Sequence, residues 1–235
     1  MSTPAHTVIV CAPPDRPLDW FTASEIIDGH RLPKGTPVAL YPVRHRRIIG
    51  WFTRWSARHL TGPVRRFGAV TRTTGGRKSR LDLSAATRRE HHAAVHRWRR
   101  WQQVVHGTPT ARPWSQFAAQ RLTTPAKMPL AEAVRRFEAQ PRVLAMLAHN
   151  VHLPPPARLD PGELDAYQAG EATYTVLHWQ RAITGDMIIT VDGRLLRPAS
   201  ETIADRLRYL GVALAYLHRL PARSHLLAVR IAAHP

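Results

Sequence analysis

The stretch TVIVC, residues 7–11, and the stretch HLLAVRIA, residues 225–232, decide the fold that this sequence predicts. Both are short runs of β-branched and aliphatic residues, which is the composition of a buried strand. The two strands lie near opposite ends of the chain, and they could share one sheet. Most of the sequence between them has helical periodicity. The pattern predicts an α+β fold, helix-rich with a few short strands near both termini, built as one or two small domains.

Further elements follow from periodicity and turn residues. Short strands are predicted at residues 36–41 and 66–74, and Asp192-Gly193 predicts a hairpin because this pair accepts the positive φ of a tight turn. Helices are predicted over residues 44–61, 84–105, 130–148 (with a break at Pro141), 162–183 and 200–220. The last helix keeps a heptad spacing of apolar residues. It predicts either a core helix or the surface of a homodimer.

Prolines and shifts in composition divide the chain into three regions. Residues 1–121 form a basic, Arg/Trp-rich α+β region, and residues 122–161 form a Pro-punctuated connecting segment with a helix. Residues 162–235 form a helix-hairpin-helix-strand region. With 235 residues the chain is long enough to bury a substantial core.

The composition excludes several classes of protein. The single cysteine, Cys11, rules out an internal disulfide and a thiolate zinc cluster, and its place in an apolar strand predicts a small buried side chain. The N-terminus lacks the charged and apolar regions of a signal peptide. No run approaches the roughly 18 apolar residues of a membrane span. We therefore expect a cytoplasmic protein without membrane contact.

The distribution of charge points to a partner. The formal net charge is +18, and residues 44–121 hold 18 of the 34 lysines and arginines but only Asp82 and Glu90 among the 16 acids. A basic excess concentrated in one third of the chain is the electrostatic signature of a protein that binds a polyanion. We therefore expect nucleic acid, DNA or RNA, as the partner.

Arginines in this region supply the candidate contacts, because a guanidinium group can bind two phosphate oxygens at once. The candidate nucleic-acid-binding residues are Arg44, Arg46, Arg47, Arg54, Arg58, Arg77, Lys78, Arg80, Arg88, Arg89, Arg97, Arg99 and Arg100. The tryptophans of the predicted helix 84–105 follow a different pattern. Trp98 and Trp101 share an apolar stripe with Ala94 and Val105, which favours packing in a core over stacking on bases.

The segment TTGGRKS, residues 73–79, suggests a second way to hold phosphate. Its backbone N–H groups, with Lys78 and Ser79, could surround a phosphate group, although the spacing of a Walker A loop is absent. Over about ten residues the segment resembles the TTxGRKS segment of the deazaflavin-dependent nitroreductases. That family continues into strands of a split barrel, whereas this chain continues into a predicted basic helix at Ser84. No residue roles are transferred from the resemblance.

The sequence patterns that could indicate a metal site are weaker than those that indicate phosphate binding. His92 and His96 are four residues apart on one helix face, but the zincin motif H-E-x-x-H is absent. Asp186 and Asp192 flank a predicted strand and could hold magnesium for a nuclease, with further carboxylates from Glu163, Glu171, Glu201 or Asp205. Since Asp192 is explained by its turn, and Glu201 and Asp205 by helix ends and solvent, no metal or cofactor is predicted.

The sequence therefore favours a non-enzymatic, nucleic-acid-binding accessory protein that makes mainly sequence-independent phosphate contacts. Two alternatives stay open. One is a metal-dependent enzyme acting on nucleic acid or a phosphorylated substrate. The other is a basic structural or assembly subunit of a larger complex.

Overall fold

The computed structural model describes residues 5–44, 59–67, 69–123 and 128–232. These residues form eight strands: β1 (Ala5–Ala12), β2 (Gly35–Pro37), β3 (Tyr41–Pro42), β4 (Leu60–Arg66), β5 (Ala69–Arg77), β6 (Met187–Ile189), β7 (Leu195–Leu196) and β8 (His225–Ala232). They also form eight α-helices: α1 (Trp20–Gly29), α2 (Leu83–Val104), α3 (Trp114–Thr123), α4 (Leu130–Glu138), α5 (Pro141–Asn150), α6 (Leu164–Gln168), α7 (Glu171–Thr184) and α8 (Ile203–Arg219). The predicted α+β class, with strands toward both termini, is confirmed.

The chain folds into two compact units, each made of segments distant in sequence. Unit 1 comprises Met1–Glu90, Trp179–Ser200 and Asp205–Pro235, and unit 2 comprises His91–His178 and Glu201–Ala204. All eight strands belong to unit 1, where they form one mixed sheet in the order β3-β5-β8-β1-β6-β7, with β2 paired to β8 and β4 paired to β5. None of the described helices is long and apolar enough to cross a membrane.

The two terminal strands lie in one sheet, where they are direct neighbours. β1 and β8 run antiparallel over their full lengths, with Val8 opposite Val229 and Val10 opposite Leu227. β6 adds to the other side of β1 in parallel. Alternate residues of these strands form an apolar core with Ala23 and Ile27 of α1. Cys11 is buried in β1, and burial raises the pKa of its thiol well above the usual range, as expected for a structural cysteine.

The segment 60–80 differs from its prediction. The helix predicted over 44–61 lies mostly outside the described residues, but β4 already begins at Leu60, so its predicted end at Gly62-Pro63 is wrong. β5 also continues through Gly75 and Gly76, where a loop was predicted. Gly75 lies against β8 so closely that a Cβ atom would overlap the carbonyl oxygen of Leu226. Glycine therefore extends the strand here because it permits close backbone approach.

Helix α2 matches its prediction except at the cap. The Asp82 carboxylate accepts a hydrogen bond from the backbone N–H of Ala85 at 2.9 Å, so Asp82 performs the capping role assigned to Ser84. The apolar stripe enters the core of unit 2, where Trp101 is buried and Trp98 packs against the same cluster. The prediction that these tryptophans are core residues is confirmed.

Unit 2 is helical, and a stack of aromatic side chains lies in its core. Trp101 stacks on Tyr167 with ring centroids 5.1 Å apart, and Tyr167 stacks on Tyr174 at 4.4 Å. The helix predicted over 162–183 is interrupted at Gly170, whose φ of 100° ends α6 and allows α7 to begin at Glu171. The predicted break at Pro141 is confirmed, since it separates α4 from α5.

Arg142 of α5 ties the helices of unit 2 together. Its guanidinium donates to the Thr108 carbonyl oxygen at 2.7 Å, to Thr108 Oγ1 at 3.2 Å and to Gln168 Oε1 at 2.9 Å. It also lies over the ring of Trp101, 5.7 Å from the centroid. All of these bonds use the planar fork that distinguishes arginine from lysine.

The C-terminal part of unit 1 also follows the sequence. β6 and β7 form the predicted hairpin, with Gly193 at a φ of 76°. Helix α8 buries Tyr209, Leu210, Ala213 and Leu217, which is the pattern of a core helix. Of the two roles open for this helix, the structure shows core packing.

Candidate nucleic-acid interface

The structure distributes the 13 predicted contact residues between the two units. Outside the described residues lie Arg46, Arg47, Arg54 and Arg58. Unit 1 contains Arg44, Arg77, Lys78, Arg80, Arg88 and Arg89, and unit 2 contains Arg97, Arg99 and Arg100. Their surroundings differ, so the described ones are considered in turn.

Helix α2 carries an exposed basic stripe. We define the α2 stripe as Arg88, Arg89, His92, His96, Arg99 and Arg100, all of which are exposed. At 100° per residue they fall within an arc of about 120° on the helix. The only acid of the helix, Glu90, is half-buried and falls outside that arc. One face of α2 therefore carries six basic side chains and no acid.

The two arginines at the far end of the α2 stripe make only weak contacts with the protein. Arg99 lies 3.5 Å from Glu171, but the two side chains are 63% and 38% exposed. Such a surface pair contributes at most about 1 kcal/mol. Arg100 donates to the Ala157 carbonyl oxygen at a long 3.4 Å. Both guanidinium groups can therefore exchange these partners for phosphate oxygens with little loss of stabilising free energy.

Arg97 points elsewhere and belongs to a buried cluster. Its Nη1 lies 3.2 Å from the Tyr174 hydroxyl and 3.3 Å from His178 Nδ1. Tyr174 in turn donates to Glu163 at 3.3 Å, and His178 Nε2 lies 3.1 Å from the same carboxylate. Burial, followed by the charge of Glu163, raises the pKa of Tyr174. This arginine therefore organises the interior of unit 2, a role that helical spacing alone did not reveal.

Lys78 also has a structural role. Its ammonium donates to the carbonyl oxygens of Leu220 at 2.7 Å and His218 at 3.2 Å, which caps the C-terminal end of α8. Burial lowers the pKa of this lysine. Two of its three donors are thereby committed within unit 1.

The predicted backbone cradle for phosphate is not formed by residues 77–79. The N–H group of Arg77 donates to the His59 carbonyl oxygen at 3.0 Å, and that of Lys78 donates to Ser224 at 2.8 Å. The N–H group of Ser79 donates to Ala222 at 2.9 Å. Because the segment is the end of a strand and not a loop, neighbouring segments occupy the donors that a phosphate would need.

Arg72 of β5 is a basic residue that the sequence did not single out. Its Nε is buried and has no hydrogen-bond partner among the described residues. Burial lowers the pKa of Arg72, and the positive charge of Arg89 lowers it further. All 16 acids of the chain are within the described ranges, yet none forms an ion pair with either residue. The signal available in the sequence was the position of this arginine within the strand predicted at residues 66–74.

The carboxylates considered for a metal have other partners. Asp186 accepts a hydrogen bond from the Thr7 N–H at 2.7 Å and pairs with Arg181 at 2.6 Å. Asp192 pairs with Arg194 at 2.9 Å. Within the described ranges, no three His, Cys, Asp or Glu side chains are grouped so that they could hold an ion. The metal-dependent alternative therefore lacks a ligand set in this part of the chain.

The remaining predicted nucleic-acid contacts lie in unit 1 and are exposed or half-buried. Arg44 is exposed, and its N–H group donates to the Arg80 carbonyl oxygen at 2.9 Å. Arg77 is half-buried at the end of β5.

Comparisons of the chain with protein-family models, with curated proteins and with solved structures found no match.

Proposed function

We propose that this protein binds nucleic acid through mainly sequence-independent phosphate contacts made by the α2 stripe. The observation that carries the proposal is the exposed, one-sided basic face of a 22-residue helix whose only acid lies outside that face. The charge of Arg89, within the stripe, also acts on Arg72 of β5, and neither residue forms an ion pair with any of the described acids. A polyanion would relieve their mutual repulsion.

The positions of the aromatic residues favour phosphate contact over base recognition. Trp101 is buried, and Trp98 packs against the same core and donates its ring N–H to the Tyr167 carbonyl oxygen at 2.9 Å. These rings are committed to unit 2, so the helix offers charge to a ligand and no stacking platform. Affinity should therefore depend strongly on salt and weakly on sequence.

Fluorescence anisotropy with labelled duplex DNA, single-stranded DNA and RNA at a series of salt concentrations tests the proposal. The test variant replaces Arg88, Arg89, Arg99 and Arg100 with glutamine. On duplex DNA each lost phosphate contact should reduce the slope of log affinity against log salt by about 0.9, so the slope should fall by up to roughly 3.6.

A matched control removes the same charge elsewhere. Arg197, Arg219, Arg223 and Arg230 are exposed, and replacing them with glutamine also lowers the formal net charge by four. The control should retain most of the salt slope. Equal losses in the two quadruple variants would mean that net charge alone attracts the polyanion. Absence of binding by the wild type at low salt would end the proposal outright.

A further inference from the structure

A second group of basic side chains meets at one end of the sheet in unit 1. Arg77 ends β5 and lies directly opposite His225, the first residue of β8, in the antiparallel pairing. Side chains of directly opposed residues project from the same face of a sheet, about 5 Å apart at Cβ. His59, just before β4, receives the backbone hydrogen bond of Arg77 at 3.0 Å. Three separate segments thus meet here, and the residues at their meeting point are one arginine and two histidines.

Among the described residues, Arg77 has no carboxylate to balance its charge. Arg77 Nε is buried without a hydrogen-bond partner among the described residues, and His225 is only 7% exposed. None of the 16 acids, all of which are described, forms an ion pair with Arg77 or His225. A buried guanidinium nitrogen without an acceptor is unfavourable, because the loss of its hydrogen bond to water is uncompensated.

His225 lies in positively charged surroundings. Its pKa is lowered first by burial and then by the nearby charges of Arg77 and His59. An anion between these groups would reverse the last two effects and would supply an acceptor for Arg77 Nε.

We propose that Arg77, His225 and His59 form a binding site for a single phosphate group. Guanidinium binds phosphate oxygens through paired N–H donors, and imidazoles add further donors when protonated. Arg77 is half-buried, so the site can be reached from solvent. The phosphate is either the terminal phosphate of a nucleic acid or that of a small phosphomonoester. The proposal does not depend on the α2 stripe, which shares no residue with this site.

Titration of the full chain with inorganic phosphate at constant ionic strength, followed by NMR of the histidine ring carbons, tests the site. Saturable shifts of the His225 and His59 signals are expected with phosphate but not with chloride. In Arg77→Gln the apparent affinity should fall at least tenfold, whereas Arg223→Gln, at an exposed arginine, should leave it unchanged. Unshifted His225 signals in the wild type would overturn the proposal without recourse to any variant. Unchanged affinity in a folded Arg77→Gln would also overturn it.

Two further comparisons identify the source of the phosphate. At high salt, where stripe contacts are screened, an oligonucleotide with a 5′-phosphate should compete with inorganic phosphate at least tenfold better than its 5′-hydroxyl counterpart if the ligand is a nucleic-acid end. If glycerol phosphate competes equally well, the ligand is a small phosphomonoester. Competition by neither ester would contradict a phosphomonoester site. The quadruple stripe variant should bind inorganic phosphate normally, so failure of the proposed function and failure of this site are separate results.

Discussion

Replacing Lys78 with methionine should destabilise the protein. Methionine keeps the aliphatic stem but removes the ammonium that donates to the carbonyl oxygens of Leu220 and His218. The bond to Leu220, at 2.7 Å and partly buried, is the stronger of the two, and the bond to His218, at 3.2 Å, is exposed. Charge-assisted hydrogen bonds contribute about 1.5–3 kcal/mol when well formed and less at the surface. We expect a loss of about 2 kcal/mol in the free energy of unfolding.

Thermal and urea unfolding followed by circular dichroism measure this loss. For a chain of 235 residues, about 2 kcal/mol corresponds to a fall in Tm of roughly 4–8 °C. The matched control is Lys34→Met, because Lys34 is exposed and its loss removes the same charge. If Lys78→Met were no less stable than Lys34→Met, the capping role of Lys78 would be refuted. In the anisotropy assay the two variants should weaken nucleic-acid binding equally and slightly.

Three further changes test other parts of the structure. Arg142→Lys should lower the free energy of unfolding by about 2 kcal/mol in urea titrations, because an ammonium cannot reproduce the three bonds of the guanidinium fork; full stability would contradict this role. Gly75→Ala should lower the free energy of unfolding by about 3 kcal/mol or prevent folding. Gly211→Ala, at an open position within α8, should instead raise it by roughly 0.5–1 kcal/mol. Equal melting temperatures of the two variants would show that β5 and β8 can separate. In phosphate-free buffer, the lowered pKa of His225 means that folding favours its neutral form. Stability should therefore decline as the pH falls below about 6.5 and through the lowered pKa, and His225→Gln should flatten that decline.

Local patterns were sufficient where one element determines its own structure. The strands at 7–11 and 225–232, the hairpin at Asp192-Gly193 and the break at Pro141 all appear at the predicted places. Each depends on short-range properties: apolar composition, the φ angles available to glycine, or the missing N–H of proline. The apolar stripe of α2 belongs to this class, because helical periodicity alone separates its buried face from its basic face.

Long-range packing decided the points at which prediction failed. Gly75 and Gly76 indicate a loop by composition, but close approach of β8 makes them part of a strand. The helix predicted over 162–183 contains Gly170, and a tolerated glycine and a helix break are indistinguishable in sequence. At Gly75 and Gly76 a strand distant in sequence determines the local structure, and at Gly170 a single backbone angle does so.

By itself the sequence determined the α+β class, the positions of most elements and the concentration of basic charge between residues 44 and 121, because composition and periodicity are local quantities. Only the tertiary structure decided which basic groups stay exposed and which are bound within the protein. It committed Lys78 to the end of α8 and Arg97 to the interior of unit 2, left one face of α2 exposed, and brought Arg77 beside His225 across 148 positions of sequence. A charge acts on whatever lies within a few ångströms of it, and those neighbours come from segments that only folding brings together.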